Sequence, residues 1–200
     1  MDWETKSLDE LLTRIWTAFE AGCRELQHPF HAPALATSSD IEPALRTVIL
    51  RGADPAGRLL VCHTDIRSAK CRELRCCTRA QWLFPDPAAR VQIRAGGETM
   101  VHSRNALARE AWLKTPLASR ANYCTKWAPG VRIGSPGDAL PAAWKEHGPT
   151  VEEAEAGFAN FAVLATTVEH FDWLQLAADG QRRAGFAWTG ERFAGNWLVP

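Results

Sequence analysis

The chain has 200 residues, with 23 Lys and Arg against 23 Asp and Glu for a formal net charge of zero, and 46% of it is hydrophobic. That length predicts one globular domain with an ample core, and the charge balance argues against binding nucleic acid through a general basic surface. No apolar run is long enough to cross a bilayer, and the opening Met-Asp-Trp-Glu-Thr-Lys lacks the basic and apolar regions of a secretion signal, so a cytoplasmic protein is expected.

Cys23, Cys62, Cys71, Cys76, Cys77 and Cys124 form no C-x-x-C pair. In a reducing compartment they read as buried thiols. Zinc on Cys71, Cys76 and Cys77 would need two adjacent cysteines to face one ion, and no fourth ligand is near. No metal is expected.

In chain order, Ser7 to His28 predicts an amphipathic helix, with Ser7 as cap, Leu8, Leu11, Leu12, Ile15, Trp16, Phe19 and Leu26 near one face, and Pro29 as the stop. Ala34 to Ser39 reads as a first strand, ending in a turn around Asp40 to Pro43. Leu45 to Arg51 is a β-branched and apolar run without Gly or Pro, hence a strand with a buried face. Gly52-Ala53-Asp54-Pro55-Ala56-Gly57 supplies turn chemistry, and Arg58 to Thr64 resumes the strand pattern. Two antiparallel strands are predicted.

Ser68 is then a good N-cap for the run Ala69-Lys70-Cys71-Arg72-Glu73-Leu74-Arg75. A helix start exposes unpaired N–H groups and partial positive charge, which suit a phosphate. Arg67 and Lys70 put cations there, a misfit unless an anion compensates, and Arg46 on the neighbouring strand could reach the same point. From the residues alone, a solvated surface cluster and an anion site both remain open.

Ala80 to Phe84 reads as an aromatic strand closed by Pro85-Asp86-Pro87. Ala89 to Ala95 alternates, with Arg90, Gln92 and Arg94 on its polar face, before a turn at Gly96-Gly97 and a strand from Glu98 to His102. Ser103 or Asn105 could cap a helix running to Lys114, with Leu107, Ala111 and Trp112 inward, until Thr115-Pro116 breaks it. Leu117 to Cys124 predicts a short helix. Ala128 to Pro149, rich in Pro and Gly, predicts a long irregular segment, and such segments tend to be functional or mobile. Val151 to Phe158 reads as a helix, and Phe161 to Thr167, Val168 to Leu176, Arg182 to Trp188 and Asn196 to Val199 as closing strands, with Asp179-Gly180 a hairpin turn.

The stretches Arg46-Thr47-Val48-Ile49-Leu50-Arg51 and His63-Thr64-Asp65-Ile66-Arg67-Ser68-Ala69-Lys70 resemble the pyridoxamine 5′-phosphate oxidase-like family of flavin mononucleotide (FMN) binding split barrels. That family carries an Arg-x-Val-Leu-Leu-Lys strand, a Tyr-Thr or similar pair, and a Ser-x-Lys helix start. The resemblance runs roughly from Ala34 to Pro200 and is closer to the family's less characterised branch than to the true oxidases. It implies an α+β, mainly β, FMN-binding split barrel with flanking helices, forming one domain over residues 1–200. It also implies a homodimer with FMN between subunits, the 128–149 loop lying beside the partner's cofactor, and a small-molecule substrate.

The same resemblance implies a cofactor site of Arg46, Thr47, Val48, Ile49, His63, Thr64, Ser68, Lys70, Gln92 and Trp173. Gln92 is the family's Gln when counted from Gly97, where an amide can orient the flavin's pyrimidine edge. His63 is open between a cofactor contact and a structural histidine, and Trp173 between a flavin neighbour and core packing.

Arg51 and Ser119 stand where the true oxidases hold the substrate phosphate, but Ala111 and Thr115 replace the Tyr and Arg of that subsite. Two strong contacts are lost, and no His follows in Gln181-Arg182-Arg183-Ala184-Gly185. Oxidation of vitamin B6 is therefore not expected. Two functions remain: an FMN-dependent oxidoreductase passing hydride to flavin N5 from a small substrate, with no catalytic side chain singled out, or a non-catalytic flavin-binding or cofactor-sensing protein. Haem and deazaflavins use the same barrel, so the fold alone does not fix the ligand.

Overall fold

A computed structural model describes residues 3–38, 42–135, 139–141, 144, 148–177 and 180–200. Helix α1 spans Leu8–Arg24; the Ser7 side chain accepts the Glu10 N–H, Asp9 and Glu10 occupy the first turn, and Arg24 the last, each suited to the helix dipole. Leu11, Ile15, Trp16 and Phe19 are buried along one face. The helix ends before the expected His28, and Leu26 is 74% exposed, because Pro29–His31 forms a separate 3-10 turn.

Among the described residues nine antiparallel strands form one sheet: seven follow the path β2-β1-β5-β6-β7-β4-β3, with β8 on β7 and β9 on β8 off it. Strand β1 is Ala34–Ser38, so Ser39 and the Asp40 part of the expected turn lie outside the described residues. The run from Leu45 to Arg51 is not one strand. It divides into β2 (Pro43–Thr47), which pairs with β1, and β3 (Leu50–Asp54), which pairs with β4 (Leu59–Asp65). These two strands are the opposite ends of the path, so the link at Val48 and Ile49 brings those ends together into a barrel split at that point. The Val48 N–H donates to the Pro33 carbonyl at 2.9 Å there. Gly52 to Asp54 belong to β3, and the turn is confined to positions 55–58.

Helix α2 is Ala69–Cys76, and β5 is Arg79–Asp86. Strand β6 is continuous over Val91–His102, so Gly96-Gly97 is not the expected turn; it lies opposite a bulge at Glu169 in the strand it pairs with. A Cβ on Gly97 would lie 1.8 Å from the Thr167 carbonyl oxygen, which is why glycine stands there. Across from it, β7 is one strand, Phe161–Ala177, where two were expected.

Helix α3 is Ala106–Lys114, capped by the Asn105 side chain on the Ala108 N–H at 2.9 Å; Ala108 and Trp112 are buried, but Leu107 is 43% exposed. Leu117–Arg120 (α4) runs into a 3-10 turn, and Val151–Glu155 (α5) starts in a capping box of Thr150 and Glu153. Strands β8 (Gly180–Trp188) and β9 (Phe193–Leu198) complete the sheet. Asp179 of the expected hairpin turn lies outside the described residues, while Gly180 has φ +132°, a value that favours glycine. The described part of the 128–149 passage contains no strand, and Pro136 and Gly137 lie outside the description. The main core gathers Phe19, Phe30, Phe84, Phe171, Trp82 and Trp173 from α1, the 3-10 turn, β5 and β7.

Candidate functional site

Strand β4 alternates in burial, so Cys62 and Thr64 face inward toward α2 while Val61 and His63 face the other way. The two faces carry different chemistry. On the inner face, the Lys70 ammonium donates to Thr64 Oγ1 at 3.1 Å, and Thr64 Oγ1 lies 3.3 Å from Ser68 Oγ. Ser68 is the N-cap of α2 in extended backbone, yet its side chain caps no N–H of the helix. Instead its hydroxyl turns to Thr64 and Cys71 Sγ, leaving the helix start without that internal acceptor. Thr64 and Ser68 are both buried, and burial pushes the neighbouring Cys62 thiol up to about 12, so it stays protonated.

Arg46 reaches this corner from β2, as its side chain points inward between the exposed Leu45 and Thr47. Its guanidinium donates to Glu73 Oε2 at 2.8 Å, to Thr37 Oγ1 and to the Leu35 carbonyl at 3.3 Å, and Thr37 in turn donates to Glu73. Burial works to raise the Glu73 pKa. The hydrogen bonds from Thr37 and Arg46 and the charges of Arg46 and Lys70 outweigh it and hold the carboxyl below its ordinary range. Arg46, Lys70, Thr64 and Ser68 are thus gathered at one place, with a carboxylate that the sequence reading did not include.

Arg67 does not join them. Asp65 takes its backbone N–H at 2.8 Å and its guanidinium at 2.6 Å, and the far side of the guanidinium donates to Thr125 at 3.1 and 3.0 Å. The cation seen as a misfit at the helix start has its counterion two residues away. Lys70 is the cation left facing the Ser68 and Thr64 hydroxyls.

The opposite face of β4 forms the floor of a cavity of about 770 Å³, walled by β3, β4, β7 and α3. Val163 lies opposite His63 and Ala165 opposite Val61 across the ladder, with Leu107 and Ala111 of α3 above. Burial first, and the Arg51 charge second, push the His63 pKa down to about 4, so the ring is neutral at pH 7; its edge meets Phe161 at 4.9 Å between centroids. Arg51 lines the same cavity; Ser119, one helical turn beyond Pro116, does not.

Of the remaining residues, Thr47 is exposed, Ile49 is half-buried, and Val48 is buried at the split. Gln92 is exposed on β6, separated from β4 by the whole of β7. Trp173 is 1% exposed, with ring centroids 6.4 Å from both Trp3 and Trp197; this chain uses it in the core. Among the described residues no cluster of three His, Cys, Asp or Glu could hold a metal, and no helix is long and apolar enough to cross a membrane.

The mainly β split barrel is the fold of similar solved proteins. Residues 13–103 match the family model described as pyridoxamine 5′-phosphate oxidase, FMN-binding domain. Among solved structures, a pyridoxamine 5′-phosphate oxidase-related, FMN-binding protein from Nostoc punctiforme PCC 73102 is similar at 22% identity, covering 94% of this chain and 96% of that one with a TM-score of 0.73. PhzG from Burkholderia lata 383, solved with tetrahydrophenazine-1-carboxylic acid, is similar at 18% identity, covering 98% and 94% with a TM-score of 0.70. A Clostridium acetobutylicum protein related to general stress protein 26 has 10% identity and a TM-score of 0.52, covering 88% and 94%. A search of curated proteins finds no match in sequence.

The donor set at the inner corner fits a phosphate monoester. An ammonium, two hydroxyls and a helix start with an idle cap converge, and an arginine paired with Glu73 stands beside them.

Proposed function

We propose that this chain is an FMN-dependent oxidoreductase, one FMN-binding split-barrel domain acting on a small molecule. The observation that carries the reading is the convergence of Lys70, Thr64 and Ser68 at the start of α2, within the segment matched by the FMN-binding family. Lys70 and the two hydroxyls would hold the FMN phosphate, and Arg46 would join them by exchanging Glu73 for it. Thr47, Val48 and Ile49 at the split would supply backbone and apolar contacts next to the sugar and ring. Bound FMN supplies a two-electron acceptor for hydride, at its N5 atom. The neutral His63 and the apolar floor beside it would keep water from that side of the site.

We further propose a homodimer. Gln92 lies away from this chain's own corner, so its amide would serve the partner's flavin, and the exposed Leu113, Met100 and Trp127 suit a covered surface. Six free thiols suit the reducing cytoplasm.

The first test is colour: purified protein should be yellow and release FMN on heating. In titrations, Lys70→Ala and Arg46→Ala should each weaken FMN about tenfold to a hundredfold, the loss expected for a charge-assisted hydrogen bond. Wild-type affinity in both variants would sink the phosphate assignment. Reduction of bound flavin by a panel of small donors tests the enzymatic half. A rate no higher than that of free flavin with every donor would leave the chain a flavin-binding protein without catalysis.

A further inference from the structure

The inner corner carries one carboxylate too many for a simple phosphate cradle. Lys70 and Arg46 are its cations and Glu73 its anion, while Arg67 and Asp65 cancel beside it. Its side chains therefore sum to a single positive charge, to which the start of α2 adds roughly half of another. A phosphate monoester is close to a dianion at neutral pH. Set into this corner, it would face those cations together with the Glu73 carboxylate, and the excess would be negative.

Glu73 cannot carry its charge elsewhere. Its side chain is only 13% exposed, the Arg46 guanidinium holds it at 2.8 Å, and the Thr37 hydroxyl donates to it. Lys70 stands one turn away on the same face of α2. Of the charges around it, Arg46 on β2 and Lys70 are the ones that act on it. Arg79 on β5 is paired with Glu169, Glu98 on β6 takes the Thr78 hydroxyl, and burial keeps Cys62 on β4 and Cys71 on α2 as protonated thiols.

We infer that Glu73 sets the charge of the ligand this corner accepts: a phosphate dianion enters together with one proton, held between its oxygens and the Glu73 carboxylate, whereas a monoanion of the same shape enters with none. The inference rests on the flavoprotein reading and deepens it at the same site. Two anionic acceptors that compete for one guanidinium share a proton, as paired carboxylates do. The proton comes from water or buffer and forms one O–H bond on either acceptor, so no other group changes its charge.

Calorimetric titration of the full chain, freed of flavin, in buffers of unequal ionisation enthalpy counts the protons taken up. FMN at pH 7.5 should bring in between about half a proton and one, and its affinity should rise by up to about tenfold as the pH falls from 8 to 7. Riboflavin 5′-sulfate, equal in shape and carrying one charge, should bring in none, and its affinity should stay flat over that range. In Glu73→Gln the proton that accompanies FMN should disappear, and the preference for FMN over the sulfate at pH 8 should rise at least about twofold.

FMN bound by the wild type without a proton, a sulfate that carries one in, or a Glu73→Gln protein that still takes one up or keeps the wild-type preference would each overturn the inference. The comparison of FMN with the sulfate is made on the wild type, so it decides the matter even where the variant does not fold. A chain that binds no flavin overturns the flavoprotein reading and this inference with it, whereas FMN bound without a proton overturns the inference alone.

Discussion

The two faces of β4 differ in how they handle charge. On the inner face every charged group has a partner: Lys70 on Thr64, Arg46 on Glu73, with hydroxyls filling the gaps. On the outer face the strand presents Val61 and a neutral imidazole, and Arg51 stands on the wall with no side-chain hydrogen bond or ion pair among the described residues. The inner arrangement is dense in donors and buried, as holding a dianion requires. The outer one is apolar, with Arg51 on its wall. One strand can therefore keep a polar, donor-rich face apart from an apolar one, because its side chains alternate.

Acid should break the comparison most strongly, on the outer face alone. With its pKa lowered to about 4 in the folded chain, His63 stays neutral where an unfolded histidine, near 6.5, takes up a proton. Its contribution to stability is therefore full above pH 6.5 and is lost as pH falls toward 4. It amounts to at most about 3 kcal/mol. Urea midpoints at pH 7 and pH 4 for wild type and His63→Phe should show a smaller acid loss in the variant, and parallel losses would refute the assignment.

Next in size, Thr64→Val and Ser68→Ala should each cost FMN affinity by about fivefold, the value of one neutral hydrogen bond. Neither should alter the acid response of His63, because both side chains lie on the inner face; wild-type FMN affinity in both variants would count against the phosphate assignment.

The smallest effect is expected from Glu73→Gln, which removes a negative charge beside the phosphate corner and frees Arg46. FMN should bind about two- to fivefold tighter, within the range of a partly exposed ion pair, and weaker binding would mean that Glu73 positions Arg46 for the ligand.

How much of this could be read from the chain depends on the range of the interaction. Helix α2 and its cap were legible because Ser68 and the residues after it are local signals, and the family motif matched them. The break at Val48 and Ile49 was not, since an apolar run fits one strand or two equally well until its pairing partners, β1 and β4, are known. Gly96-Gly97 reads as a turn in isolation; only its pairing with β7, where the Thr167 carbonyl presses against Gly97, keeps it within a strand. The direction of Trp173 was hidden for a related reason, because the extra residue Glu169 in its own strand, between Val168 and His170, spoils counting by twos. Glu73 was missed because its partners, Thr37 and Arg46, lie 36 and 27 residues away. The Asp65 counterion of Arg67, by contrast, was visible two positions upstream.

The Arg46–Glu73 pair bears on the protein before it meets any nucleotide. A corner that supplies its own counterion has no need of an anion to fold, so newly made chains can mature empty and load afterwards. On the proposed reading, loading would swap one oxygen acceptor on Arg46 for another instead of bringing fresh charge together, and its dependence on ionic strength should be correspondingly shallow.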